Sequence, residues 1–314
     1  GSNTTEAHSV ISLRMKRAVR NGAKLIVIDP RKIELTKWAT RHLQINIGTD
    51  IPLFNAFAHV MIKEGLYDRE YVEKRTEGFD ELAKHVEFYT PEYASEICGV
   101  PANEIIDTAR EYAEASGKAA ICYTLGITEH SCGSHNVQSI ANLGMLGGNF
   151  GKLNAGVNPL RGQNNVQGAS DSGALPTDLP GYQKIERPGV REKFEAAWGS
   201  ELPKRRGITK ITAMNQMLRG RVRGVYIMGE NTVVSDPNTN HAQAALEATD
   251  FIVVQDIFMT DTAKLADVVL PAASFAESDG TFANSERRVQ RVRPAIKPVG
   301  ESRTDVDILL DVMK

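Results

Sequence analysis

Residues 24–31 read Lys24-Leu25-Ile26-Val27-Ile28-Asp29-Pro30-Arg31, an apolar run that stops at an acid, a proline and a base. Such a run, bounded by turn-forming residues, predicts a buried strand. Its carboxyl end presents Asp29 and Arg31 where open α/β sheets bind ligands. Upstream, Val10, Ile11, Leu13, Met15, Ala18 and Val19 fall near helical spacing, and Asn21-Gly22 supplies the stop. Downstream, Leu43-Gln44-Ile45-Asn46-Ile47 predicts a second short strand, and Gly48-Thr49-Asp50 repeats the plan of strand, turn and exposed aspartate. Periodicity predicts helices over 51–64, 67–75, 79–88 and, after the cap-like Pro101-Ala102-Asn103-Glu104, on to 115. Residues 119–125 predict another buried strand whose end meets Gly126 and Glu129. A helix over 135–146 is then halted by Gly147-Gly148-Asn149.

Between 149 and 181 Gly, Asn, Pro, Ser and Asp crowd a stretch with no sustained period. Asn158-Pro159-Leu160-Arg161-Gly162-Gln163-Asn164-Asn165 gathers hydrogen-bonding side chains around one arginine, a composition suited to holding something polar. Residues 187–207 read as surface. The α/β rhythm resumes with a helix over 209–219, a strand over 225–228 ending at Gly229-Glu230-Asn231, a helix over 239–248 and a strand over 251–256 ending in Gln255-Asp256. A last strand, 268–271, is closed by Pro271. The fold class expected is α/β, with two units over 1–161 and 162–314.

At about 150 residues per domain, 314 residues also give roughly two domains. Lys plus Arg number 37 and Asp plus Glu 39, so the net charge of −2 supplies no global field for nucleic acid or an anionic membrane. No signal-peptide pattern and no apolar run of membrane-spanning length occurs, and a cytoplasmic location without membrane contact is expected. Three cysteines without a Cys-x-x-Cys pair exclude a disulfide framework and the simplest iron-sulfur and zinc sites. Gly1-Ser2-Asn3 at the start and an apolar helical run at the end read as a piece cut from a longer chain.

Neither Gly-x-Gly-x-x-Gly nor Gly-x-x-x-x-Gly-Lys-Ser/Thr is present, which weakens ordinary dinucleotide-fold and P-loop readings. Asp29, Asp50 and Asp256 can accept hydrogen bonds from a guanine N–H edge or ribose hydroxyls, and Arg31 can fork onto a phosphate. Each aspartate can equally cap the helix that follows. His130, Cys132 and His135 lie within six residues but lack further ligands, so local capping and packing is expected there and no metal site is assigned. Cys98 and Cys122 read as inert thiols. Arg287, Arg288, Arg291 and Arg293 beside Phe282 form a basic stretch that reads as a partner contact or a solvated face.

From Asn158 through Arg161-Gly162-Gln163-Asn164-Asn165-Val166-Gln167-Gly168-Ala169 the chain resembles the molybdopterin oxidoreductase superfamily, and within it the catalytic alpha subunits of formate dehydrogenases. Ile28-Asp29-Pro30-Arg31, Thr76-Glu77-Gly78-Phe79, Tyr89-Thr90-Pro91-Glu92, Met145-Leu146-Gly147-Gly148-Asn149-Phe150-Gly151-Lys152 and Gln255-Asp256-Ile257-Phe258-Met259-Thr260 extend the resemblance over nearly the whole chain. It implies two Rossmann-like three-layer α/β/α units, the second incomplete. It implies two molybdopterin guanine dinucleotides around one Mo or W atom, and interconversion of formate and carbon dioxide. Arg161 matches the arginine that orients formate, and Gln163 falls in the adjacent pterin shell. Asn3, Glu6, Asp29, Arg31, Gly48, Asp50, Leu125, Gly126 and Glu129 would surround one guanine dinucleotide. Gly229, Glu230, Asn231, Gln255 and Asp256 would surround the other.

Other parts of the family pattern are missing from this sequence. The domain holding a 4Fe-4S cluster, the cysteine or selenocysteine that ligates the metal, its neighbouring histidine and the C-terminal cap find no counterpart, and His130, His135, Cys122 and Cys132 do not replace them. The parent is therefore expected to be an enzyme that passes electrons to a hydrogenase or NAD-linked partner, whereas the isolated chain is expected to be inactive. Two alternatives stand beside it: a molybdopterin enzyme for nitrate or another small oxyanion, and a noncatalytic nucleotide-binding module.

Overall fold

From its N-terminus the first unit, Gly1–Gly162, runs α1 (Thr4–Ala7), α2 (Ser9–Arg20), β1 (Ile26–Ile28), β2 (Arg41–Leu43) and α3 (Asp50–Lys63). It continues through α4 (Arg69–Arg75), α5 (Phe79–Val86), α6 (Pro91–Cys98), α7 (Ala102–Glu114) and β3 (Ala120–Tyr123), then α8 (Leu125–Thr128), α9 (Gly133–Leu146) and β4 (Gly156–Pro159). The computed structural model describes all residues 1–314. The architecture is mixed α/β, with parallel strands packed against helices.

Helix α3 is the centre of the first core. Leu53 through Met61 are buried without a break, because α3 is covered by α5, α6, α7 and α9 on its several sides. A helix buried on every side needs such a cover, and the two polar residues buried in that stretch, Asn55 and His59, share it, His59 Nδ1 lying 3.0 Å from the Val86 carbonyl. The neighbours are held by ordinary local chemistry: Thr90 caps α6, Pro91 takes its first turn, and Gly99 ends it in the left-handed region at φ 76°. β1 pairs with β2 in parallel, Ile26 opposite Arg41 and Ile28 opposite Leu43. β3 pairs with β4 in parallel, Ala120 opposite Gly156 and Tyr123 opposite Pro159. The two pairs are separate sheets, and β1 and β3 each keep one edge without a strand partner. A cavity of about 360 Å³ is lined by Ile26 and Ile28 of β1, by Ile121 and Tyr123 of β3, and by Phe57 and Ile140 of the helices beneath.

The second unit, Gln163–Lys314, begins with α10 (Val166–Asp171), the hairpin β5 (Asp178–Leu179) and β6 (Gln183–Lys184), and α11 (Val190–Trp198). Its α/β part is α12 (Lys210–Met217), β7 (Gly224–Met228), α13 (Thr232–Ser235), α14 (Thr239–Glu247), β8 (Phe251–Asp256) and β9 (Val268–Pro271). The hairpin β10 (Gly280–Ala283) and β11 (Val289–Val292) and the helix α15 (Asp305–Val312) follow. β7, β8 and β9 form one parallel sheet with β8 in the middle. Met214 and Met217 of α12 and Leu246 of α14 pack with Ile227, Ile252 and Val254 of the sheet.

Several sequence expectations shift. The strand expected over 43–47 ends at Leu43, because Asn46 turns away from β1: its N–H donates to the Cys98 carbonyl at 2.9 Å and its side-chain amide to that of Ile97 at 3.0 Å. Ile47 is left 81% exposed. The strand expected over 119–125 stops at Tyr123, since Leu125 opens α8. The stretch 149–181 is not structureless: β4 forms from Gly156-Val157-Asn158-Pro159 despite a composition poor for strands, which an edge position tolerates. The surface stretch 187–207 contains α11, anchored by buried Phe194 with the Trp198 ring packed at a tilt, 5.0 Å between centroids.

Candidate functional site

In the first unit the chain's first residues meet the carboxyl ends of β1 and β3. The Gly1 amino group donates to the Ile28 carbonyl at 3.0 Å, and the Gly1 carbonyl accepts from the Gly126 N–H at 3.2 Å and from the Thr124 hydroxyl at 2.9 Å. Close approach requires glycine at 126: a Cβ there would lie 2.5 Å from the Gly1 Cα. Asp29 is buried and spends one oxygen on the Arg31 N–H at 2.9 Å, which shapes the Asp29-Pro30-Arg31 turn and leaves the Arg31 side chain exposed. Asp50 opens α3, and burial pushes its carboxyl up; the Gly1 amino group and His130 oppose that shift electrostatically. Gly48, at φ 81° with open space beside it, and exposed Leu125, Gly126 and Glu129 border the same strand ends.

Asn3 caps α1 without using its side chain, and its Oδ1 is buried with no hydrogen-bond partner. A buried acceptor left bare costs free energy, and a donor on a bound heterocycle would satisfy it. Glu6, on α1, is exposed. The first unit thus brings Asn3, Asp29, Asp50, Gly126 and Glu129 to one end of its strands, and this acceptor-rich set fits an N–H-rich heterocycle such as a guanine or pterin.

Arg161 follows β4 and is exposed, and none of the ion pairs in the protein uses its guanidinium. Burial raises the Tyr123 phenol pKa, and the nearby Arg161 charge opposes that rise. The Arg161 carbonyl accepts a 2.7 Å hydrogen bond from His8 Nε2. His8 was not singled out by sequence reasoning; its only signal was adjacency to Asn3 and Glu6. Gln163 is exposed at the start of the second unit.

In the second unit the expected residues are more committed. Asn231 Oδ1 accepts from both the N–H and the hydroxyl of Thr262, at 3.1 and 2.9 Å. Gln255 is fully buried, accepting from the Tyr226 hydroxyl and donating to Asp305 at 2.6 Å. Both side chains hold the ends of β7 and β8 in shape. Asp256 accepts from the Phe258 N–H at 3.0 Å. Gly229 turns the chain at φ 63°. Burial raises the Glu230 carboxyl, but bonds from Lys210 and Ser235 outweigh it and hold the group below its usual range.

Among all described residues no group of three or more His, Cys, Asp or Glu could hold a metal ion. His130 instead donates to the Gly126 carbonyl at 2.9 Å, and Cys132 caps α9. Burial pushes the Cys98 and Cys122 thiols up, as expected of unreactive cysteines. No helix is long and apolar enough to cross a membrane.

The family model for molybdopterin oxidoreductase matches residues 1–314. The F420-dependent formate dehydrogenase subunit alpha of Methanocaldococcus jannaschii is 52% identical over 305 residues, 97% of this chain and 45% of that protein. Formate dehydrogenase H of Escherichia coli is 46% identical over 313 residues, 99% of this chain and 44% of that protein. Among solved structures, acetylene hydratase from Pelobacter acetylenicus superposes with a TM-score of 0.77 at 26% identity, covering 98% of this chain and 45% of that one. The chain therefore spans less than half the length of these relatives.

Proposed function

Because the chain belongs to the molybdopterin oxidoreductase family, we propose that it is the cofactor-binding part of a Mo- or W-dependent formate dehydrogenase alpha subunit. The fold alone does not choose the substrate, since a protein named for hydrating acetylene shares it. What favours formate is Arg161: an exposed guanidinium free of carboxylate partners, its backbone pinned at the end of β4.

In this reading the two units are Rossmann-like three-layer domains over 1–161 and 162–314, the second incomplete, and each takes one molybdopterin guanine dinucleotide. Asn3 and Asp50 accept from its N–H groups, Arg31 meets its phosphates, and Glu6, Asp29, Gly48, Leu125, Gly126 and Glu129 wall the first site. Gly229, Glu230 and Asp256 border the second, Asn231 and Gln255 act there through the backbone they brace, and Gln163 lies in the pterin shell. The chemistry that a bound Mo or W supplies is that of a two-electron acceptor. Formate becomes carbon dioxide by losing one proton and two electrons. Arg161 grips both carboxylate oxygens in a bidentate fork, which directs the C–H bond away from the guanidinium and fixes its approach. The parent is placed in the cytoplasm, with its 4Fe-4S cluster outside these residues and a hydrogenase or NAD-linked partner taking the electrons. No contact with nucleic acid or membrane is assigned to this chain.

In the full-length parent, Arg161→Ala should lower kcat/KM for formate by about two orders of magnitude, the loss typical of a charge-assisted bidentate contact. Formate-dependent dye reduction, read at matched metal and guanine content, measures it. Unchanged efficiency rejects the role, and turnover of nitrate without formate would favour the small-oxyanion alternative.

A further inference from the structure

The ring of His8 reaches across 153 positions of sequence to the Arg161 backbone. A carbonyl can only accept, so Nε2 carries the proton and donates it at 2.7 Å. The other ring nitrogen, Nδ1, is buried with no partner. An unsatisfied buried nitrogen costs free energy, so stability alone does not account for an imidazole here. The bond falls at a telling place. Just before it, the Leu160 N–H donates to the Tyr123 carbonyl at 2.8 Å, adding a rung to the β3–β4 ladder. Just after it, Gly162, Gln163 and Asn164 are all exposed. The hydrogen bond from His8 is thus the anchor at the point where the chain leaves the sheet.

We infer that His8 is a positioning residue for Arg161, clamping its main chain so that the guanidinium keeps one approach to a bound carboxylate. The inference rests on the reading of Arg161 as the formate-binding arginine. Loss of the clamp leaves the charge in place but multiplies its conformations, which weakens ground-state binding of the anion more than the chemical step.

The test uses the full-length parent enzyme with His8→Ala, His8→Leu and His8→Gln. The first two remove the donor, the second while filling the ring's volume, and the amide of the third can donate to the same carbonyl. His8→Ala should raise KM for formate roughly three- to tenfold, the range for one lost hydrogen bond, with kcat changed by less than about twofold. His8→Gln should return KM close to wild type. A second readout needs no turnover: modification of Arg161 by phenylglyoxal, followed by mass spectrometry, should be protected by formate at wild-type concentrations in His8→Gln and only at proportionally higher ones in His8→Ala. Melting temperature and guanine content identify the variants that keep their fold and cofactor; if His8→Ala does not, His8→Leu carries the comparison. Unchanged KM and unchanged protection in either donor-free variant overturn the inference, as does failure of a folded His8→Gln to rescue. If Arg161→Ala leaves formate turnover intact, the formate reading falls. The Arg161 modification rate in His8→Ala against His8→Gln then still decides whether His8 holds this backbone.

Discussion

Asp50 stands at the first position of α3 with its carboxylate buried, and burial pushes its pKa up against the partial help of the Gly1 amino group and His130. A carboxyl whose folded pKa lies above its unfolded value contributes stability that is complete below the unfolded pKa, about 3.9, and lost as pH rises through the folded one. At neutral pH the ionised Asp50 therefore costs stability, and Asp50→Asn should raise the melting temperature at pH 7 by a margin that disappears as pH falls to about 4. Melting curves across that interval measure it, and an equal margin at both ends would refute the account. A destabilising carboxylate at a strand-end cluster supports the ligand-binding role proposed for it. Asp29 shows the contrast: both its burial and its bond to the Arg31 N–H are consistent with a residue that shapes the turn first.

Among the elements, α4 is capped by one side chain. Asp68 accepts from the Tyr71 N–H at 2.9 Å as N-cap, while its own N–H donates to the Leu146 carbonyl at the end of α9. Asp68→Ala should cost about 1 kcal/mol, as N-cap removals do, readable in urea unfolding of the protein. The Gly147-Gly148-Asn149 turn after α9 is equally structural: Asn149 accepts from the Ala119 N–H at 3.1 Å and donates to the Tyr112 hydroxyl at 2.9 Å, and burial pushes that phenol up to about 12. Elements such as α3 and β8 were legible in sequence because a mostly apolar stretch with its own period marks a segment that packs against several neighbours. β2 and β4 were not, because their limits are set by distant partners: α6 bends Asn46 away, and β3 recruits a Gly- and Pro-bearing segment as an edge. The same distinction runs through the site. Asp29 and Asp50 could be read as acids ending strands or opening helices, and Arg161 from its polar surroundings. Gln255 and Asn231, which the resemblance sets beside the second cofactor, also brace strand ends, and His8 stands out in sequence only by its nearness to Asn3 and Glu6 because its partner is half a chain away.

Each unit of the molecule holds its own core, the first around α3 and the second around β8. Leu53 and Leu246 are both fully buried, one in each. Truncating either to alanine should remove about 2–5 kcal/mol, and amide hydrogen exchange should show the loss confined to the unit that contains the substitution. Faster exchange spread over both units would show that they unfold as one. The resemblance in sequence reached the whole chain because its motifs sit at turns and strand ends in both units, where geometry restricts residue choice. The open edges of β1 and β3 face an apolar cavity that both strands line. Apart from the Ile28 carbonyl, which the Gly1 amino group already engages, those edges leave room beside an oily cleft for one further extended segment to complete the layer.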